Sequence, residues 1–495
     1  MFEYLLDGLM TAVSPAVLPV LFFGVLGGII LGALPGLTAT MGVAILLPFT
    51  FGMDATPALV MLIGVYIGGI YGGSIAAILL KTPGTPASAA SVLDGHTLTV
   101  KGQAARALSI SAVASFVGGL ISTIILIAIA PKLATFALRF NAPEYFALAL
   151  FGLTIIASVS SKNIFKGLLA GCVGLLVSTI GLDPISSVPR FTFGIMDLYS
   201  GVNVIPVLIG LFALSEALNQ LEKIVSEKKV KAVKFDHKLL SKSDLKEMMP
   251  TAIKSGLMGT TIGSVPGAGA DISAFVCYNE AKRSSKNPEE FGQGSVRGLA
   301  SAEAGNNGVT GGALVPLLTL GVPGDAVAAV LLGALIVQGL TPGPLLFAQN
   351  PDVVYGVFSS MLVANIIMLV IGLIGIRFFC RIVEAPKMLM IPIIIFLSVI
   401  GAYAINNSMF DVGIAIGFGL LGFVFNKLDV PSSPILLAII LGPMAETNLR
   451  KSLLMFDGSW SFLYERPIAL GFILLAVFSV YSTMKMKKKQ ARKEG

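Results

Sequence analysis

Apolar residues run together along this chain in long blocks separated by short polar intervals. Apolar stretches occupy 17–34, 56–80, 107–130, 143–159, 165–182 and 202–220. After one charged interval they resume at 255–277, 309–340, 353–376, 388–404, 409–425, 431–443 and 468–484. About 20 residues of apolar helix cross the hydrocarbon core of a bilayer, so the pattern predicts membrane helices. Some blocks are too short to cross alone and read as half-helices or re-entrant segments. Backbone freed in such segments has to face protein or a wet cavity.

Composition narrows this further. The 495 residues are 55% hydrophobic and 12% charged, about half the charge of soluble domains. That excludes a soluble domain and a disordered chain, and the length accommodates roughly ten to fourteen helices. The expected fold class is an all-α polytopic membrane protein. Met1 to Ser14 contains Glu3 and Asp7 and no basic n-region, so it does not read as a cleaved signal peptide. Pro15 to Leu34 reads as the first span.

Charge supplies topology. The interval from Glu222 to Glu247 holds eight lysines against five acids, and the tail from Lys485 to Lys493 is basic. Both flank spans and are almost without the aromatics of a nucleic-acid surface, so the positive-inside rule places them in the cytoplasm. The chain divides into a first membrane repeat at 1–221, a basic linker at 222–249, a second repeat at 250–484 and a basic tail at 485–495. Cys172, Cys277 and Cys380 lie far apart without a CxxC pair, and read as small buried hydrophobes. His96 reads as a turn residue and His237 as a solvated loop residue. No cofactor is expected.

The halves carry matched breaks. Gly32-Ala33-Leu34-Pro35-Gly36-Leu37 in the first is echoed by Gly263-Ser264-Val265-Pro266-Gly267-Ala268 in the second. Downstream, Gly72-Gly73-Ser74 leads into Lys81-Thr82-Pro83-Gly84-Thr85, and Gly311-Gly312-Ala313 leads into Gly321-Val322-Pro323-Gly324-Asp325. Corresponding Gly/Pro-interrupted segments in two halves mark the binding site of a secondary transporter with internal repeats. Proline removes a donor and glycine permits an unwound turn. The half-helix that follows offers amides and a positive dipole end to an anion, while unwound carbonyls suit a cation.

The candidate substrate-binding residues are Pro35, Gly36, Thr38, Lys81, Thr82, Pro83, Gly84, Thr85, Ser88, Pro266, Gly267, Gly269, Asn306, Asn307, Pro323 and Gly324. Asp271, Asn306 and Asp325 are the candidate sodium ligands. Ionisable groups at membrane depth are functional hypotheses by default. Each acid also reads as a cap on the following helix. Asn306 and Asn307 read as amides on a glycine-flanked turn. Glu303 reads as a proton carrier or as the partner of a cation such as Arg297. Lys81 suits an anion if buried, and is an interfacial lysine if it lies near a membrane face.

These motifs, with Glu303-Ala304-Gly305-Asn306-Asn307 and Pro86-Ala87-Ser88, resemble the large membrane subunit (the TctA type) of the bacterial tripartite tricarboxylate transporters. The resemblance covers essentially residues 10 to 470, with slight departures at Gly305 and Ser264. It implies an inner-membrane permease of about twelve spans with broken hairpins. It also implies a small membrane subunit of about four spans and a periplasmic solute-binding protein. The implied cargo is a citrate-like carboxylate, coupled to a sodium or proton gradient. An elevator motion follows by analogy with the TRAP transporters, and inverted repeats are expected. A stand-alone carboxylate carrier and an anion channel are the alternatives. No Walker A motif is present, and the one adjacent acid pair, Glu289-Glu290, lies in a polar loop, so enzymatic chemistry is not expected.

Overall fold

The structure is a computed structural model and describes residues 2–34, 36–82, 84–159, 164–224, 239–266, 269–382, 387–478 and 481. In chain order the first half contains α1 (Phe2–Ala12), α2 (Leu18–Ala33), α3 (Ala39–Leu46) and α4 (Ala55–Leu80). The short pieces α5 (Ala89–Ser91) and α6 (Thr97–Val100) follow, then α7 (Ala104–Ala137), α8 (Ala142–Val159), α9 (Ile164–Ser178), α10 (Val204–Leu208) and α11 (Ser215–Ile224). The second half contains α12 (Lys242–Gly263), α13 (Gly269–Ser284), α14 (Val296–Leu320), α15 (Ala326–Val337), α16 (Pro344–Gln349) and α17 (Pro351–Ile374). It ends with α18 (Ile376–Ile382), α19 (Lys387–Asn406), α20 (Met409–Lys427), α21 (Ser433–Met455) and α22 (Phe462–Glu465). Among the described residues one two-residue ladder, Gly181–Leu182 against Pro189–Arg190, is the only strand pairing. The fold is all-α, and five described helices are long and apolar enough to cross a membrane.

Several boundaries depart from the hydropathy pattern. The stretch at 255–277 is two helices, α12 and α13, because the backbone breaks at Pro266. Helix α12 begins at Lys242, within the lysine-rich interval, where Ser241 and Asp244 form a capping box. Asp244 also pairs with Arg106 of α7 at 2.6 Å, so this polar start is anchored to an apolar helix. His96 is not in a turn; Val92–His96 is a π-helical turn between α5 and α6. The ring Nδ1 of His96 lies 3.1 Å from the Ile78 carbonyl oxygen. That carbonyl is near the end of α4, so the ring holds a helical segment against it.

The chain forms two compact units. One comprises residues 1–134 and 216–405, the other 135–215 and 406–495. In the first, α2 packs along α4 and α12 along α14, with glycines at the crossings. A Cβ on Gly28 would stand 2.4 Å from the Val65 carbonyl oxygen, and one on Gly68 2.2 Å from that of Val25. In the other pair the corresponding values are 2.3 Å for Gly259 against Gly305 and 2.4 Å for Gly312 against Thr260. Helices in lipid gain little from apolar burial against each other, so close backbone approach supplies the contact. An 18-residue stretch of α4 is buried throughout.

Asp94 secures the first unit differently. One carboxylate oxygen accepts from the amides of Gly292, Gly294 and Ser295 at 2.7–2.8 Å, and the other from the Tyr278 hydroxyl at 2.9 Å. The loop before α14 is thereby tied to the segment after the second break.

The second unit has an apolar core that includes Val207, Leu211, Ile435 and Ile439. Ile416, Leu420 and Val424 of α20 are exposed, as lipid-facing side chains are. Its polar end is an ion network in which Arg190 pairs with Glu446 at 2.6 Å and Arg450 with Asp183 at 2.8 Å.

Candidate functional site

All four breaks lie in the first unit and gather around the ends of α2, α4, α12 and α14. At the first, Gly36 takes a φ of +91°, and Thr38 caps α3 by accepting from the Met41 amide at 3.2 Å. At the second, Lys81 ends α4 in the left-handed region at φ +60°. Thr85 and Ser88 then start a new helical segment by capping each other's amides at 3.2 Å. At the third, Pro266 is buried and Gly269 opens α13 at φ +61°. At the fourth, Gly321 ends α14 at φ +72°, and Asp325 caps α15 through the Ala328 amide at 2.7 Å. Pro35, Pro83 and Gly267 lie outside the described residues.

Contacts join these breaks. Gly84 touches the end of α2, since a Cβ there would meet the Gly32 carbonyl oxygen at 2.3 Å. Gly324 touches the end of α12 in the same way, 2.5 Å from the Gly263 oxygen. A Cβ on Gly269 would come within 4.0 Å of the Asp325 side chain. The Ala87 backbone approaches the Asp271 carboxylate, which also feels the charge of Asp325. Asp271 keeps solvent-accessible surface. Helix starts and two acids are therefore brought to one place.

The agreement between the two halves extends to single residues. A shift of 231 positions carries Gly32 and Pro35 onto Gly263 and Pro266. A shift of 240 carries Lys81, Pro83, Gly84 and Thr85 onto Gly321, Pro323, Gly324 and Asp325. The same shift carries Tyr66 of α4 onto Asn306 of α14. The Tyr66 hydroxyl donates to the second oxygen of Asp325 at 2.6 Å. Among the described residues, neither side-chain amide atom of the fully buried Asn306 has a partner, nor does the side-chain oxygen of Asn307. Buried polar groups are nearly always satisfied, so this free capacity is an exception to the rule.

Some candidates sit elsewhere than expected. Asn306 and Asn307 are not on a turn; they lie inside α14. Their flanking glycines serve packing: Gly305 is pressed against Cys277 of α13 and Gly308 against Gly256 of α12. Lys81 and Thr82 are exposed, and the Thr82 hydroxyl turns back to the Leu80 carbonyl at 3.3 Å. Ser88 donates its hydroxyl to the Thr85 carbonyl at 2.7 Å, so this expected donor is occupied by its own turn. Glu303 does not pair with Arg297, which instead lies 3.6 Å from Glu247. Tyr66 escaped the sequence reading because a tyrosine in an apolar helix reads as core. Only its alignment with Asn306 across the halves signals it.

The chain matches the family described as the Tripartite tricarboxylate transporter TctA family over residues 18–437. It is 37% identical over 470 residues to an uncharacterized 52.8 kDa protein in the TAR-I ttuC' 3' region of Agrobacterium vitis, covering 95% of this chain and 93% of that one. It is 35% identical over 222 residues to an uncharacterized protein in the TAR-II ttuC' 3' region of the same organism, covering 45% of this chain and 92% of the relative. No solved structure matches. The chain belongs to the TctA family, and is a component of a tripartite tricarboxylate-type transport system.

Proposed function

We propose that this TctA-family chain is the permease subunit of a secondary transporter that imports a di- or tricarboxylate, citrate-like in chemistry, down a sodium or proton gradient. The observation that carries the reading is the meeting of the helix breaks beside Asp271 and Asp325, in a unit whose α14 also holds buried side-chain amide atoms with no partner among the described residues. Helix starts at Thr38, Thr85, Gly269 and Asp325 present amides and positive dipole ends, which stabilise carboxylate groups without a fixed cation. Asp271 and Asp325 are like charges near one another. A cation held with them and Asn306 relieves their repulsion and offsets the charge of the cargo.

The matched packing of α2 with α4 and of α12 with α14 is what inverted repeats produce, and an elevator motion of the break-bearing unit fits that symmetry. A small membrane subunit and a periplasmic binding protein complete the system, and the chain sits in the bacterial inner membrane. Its lysine-rich interval and tail face the cytoplasm, as their charge directs. The test is uptake of radiolabelled citrate, then of other di- and tricarboxylates, into vesicles holding this chain and its small-subunit partner. Binding protein is added outside, with and without a sodium or a pH gradient. Gradient-dependent uptake that needs the binding protein is the expected result. Uptake without any binding protein makes the chain a stand-alone carrier and overturns the tripartite reading.

A further inference from the structure

Glu303 lies in α14, one turn before Asn306 and Asn307, and is fully buried. Residues three and four apart share a helix face, so the carboxyl is on the same side as the free amides. Serine hydroxyls from three helices enclose it. Ser91 of α5 donates to one oxygen, and Ser115 of α7 donates to the other at 3.1 Å. Ser74 of α4 and Ser111 of α7 face it too, and both are buried with no hydrogen-bond partner of good geometry among the described residues. Tyr71 is the titratable group facing it from α4, and its hydroxyl is directed to the Gly372 carbonyl at 3.4 Å. Three cations on the surrounding helices are paired elsewhere: Arg106 with Asp244, Lys254 with Glu280 and Arg297 with Glu247. Among the described residues Glu303 has no ion-pair partner.

A carboxylate in such a place loses its hydration with no countercharge in return, a cost of several kcal/mol. A neutral carboxyl avoids it, with one O–H to donate and further capacity to accept. We propose that Glu303 and its serine cage are a proton-binding site, in which the carboxyl holds a proton while the cage is closed. The carboxyl gives the proton to water when the helices part. This rests on the reading of the chain as an ion-coupled carrier, and it names Glu303 as the residue that couples cargo movement to a proton gradient.

Infrared absorption of the full purified chain at neutral pH, in water and in deuterium oxide, tests the site without any cargo. A protonated-carboxyl C=O band is expected in the native chain and lost in Glu303→Gln, which keeps the shape and neutrality of the protonated side chain and so folds. Ser91→Ala and Ser115→Ala are expected to shift that band by removing a hydrogen bond. A native spectrum that the Gln change leaves untouched overturns the proposal, as does a band insensitive to both serine changes. Loss of the band when sodium chloride is added at fixed pH assigns the site to sodium and overturns it too. In vesicles with the small subunit and binding protein, Glu303→Gln is expected to retain citrate exchange and to lose accumulation driven by a pH gradient. Accumulation equal to the native rate overturns the coupling role. Absence of citrate transport by the native chain counts against the carrier reading for that cargo, while the infrared result still decides the proton site.

Discussion

The break after α4 and the break after α14 have the same backbone and different chemistry. Each ends its helix in the left-handed region, each places a buried glycine against a neighbouring carbonyl, and each caps the next helical segment with a buried side chain. At the first the cap is the neutral Thr85; at the second it is Asp325, which also takes the Tyr66 hydroxyl. Where Tyr66 has its partner, the matched Asn306 has none among the described residues. One half has used its hydrogen-bonding capacity to fix the fold, and the other has kept it available.

The largest expected effect tests the shared backbone. Gly84→Leu and Gly324→Leu should each abolish the folded protein, since even a Cβ would stand 2.3 Å or 2.5 Å from a backbone oxygen. The milder Ala changes should each cost about 1–3 kcal/mol by overpacking, read as a fall in thermal midpoint in detergent. Unequal losses would break the equivalence of the two turns.

The next test separates the two caps. Asp325→Ala removes the cap and strands the Tyr66 hydroxyl, for a loss of about 2–4 kcal/mol. Thr85→Ala removes a cap alone, for about 1 kcal/mol. Equal losses in chemical denaturation would show that the acid does nothing the hydroxyl does not. Tyr66→Phe should fall between them, about 1–3 kcal/mol, because it removes one hydrogen bond to a buried acid.

The smallest effect lies in the second unit and separates its acid sensitivity from any at the breaks. The amides of Ser186 and Ile185 hold Asp183 well below its ordinary value of 3.8, with Arg450 assisting. A folded-state value that is depressed gives stability that is present above 3.8 and lost as pH falls toward the folded value. Hydrogen exchange at Ile185 and Ser186, corrected for intrinsic pH dependence, should therefore accelerate below about pH 4 in the native chain. In Asp183→Asn it should be faster already at neutral pH and flat in acid.

Much of the architecture was legible because its causes are local. A run of apolar residues in lipid has to be helical, since no water remains to satisfy its backbone. Proline and glycine break helices through their own covalent structure. The same glycines also misled: around Asn306 they read as a turn, yet they let α14 lie against α12 and α13. A glycine that permits a bend and one that permits close approach are identical in a sequence. Arg297 seemed a natural partner for Glu303 at six residues' distance, but in the fold it meets Glu247 and Glu303 meets serines.

The sequence by itself thus determined the membrane-helical class, the family, and the order and chemistry of the four breaks, because each depends on a residue's own backbone, hydropathy or motif. Only the tertiary structure decided that Tyr66 is bound to Asp325 while Asn306 has no partner among the described residues, and that Glu303 sits among serines. Those pairings depend on which helix faces pack together, and side chains hundreds of residues apart meet only after the glycine crossings have brought the backbones into contact.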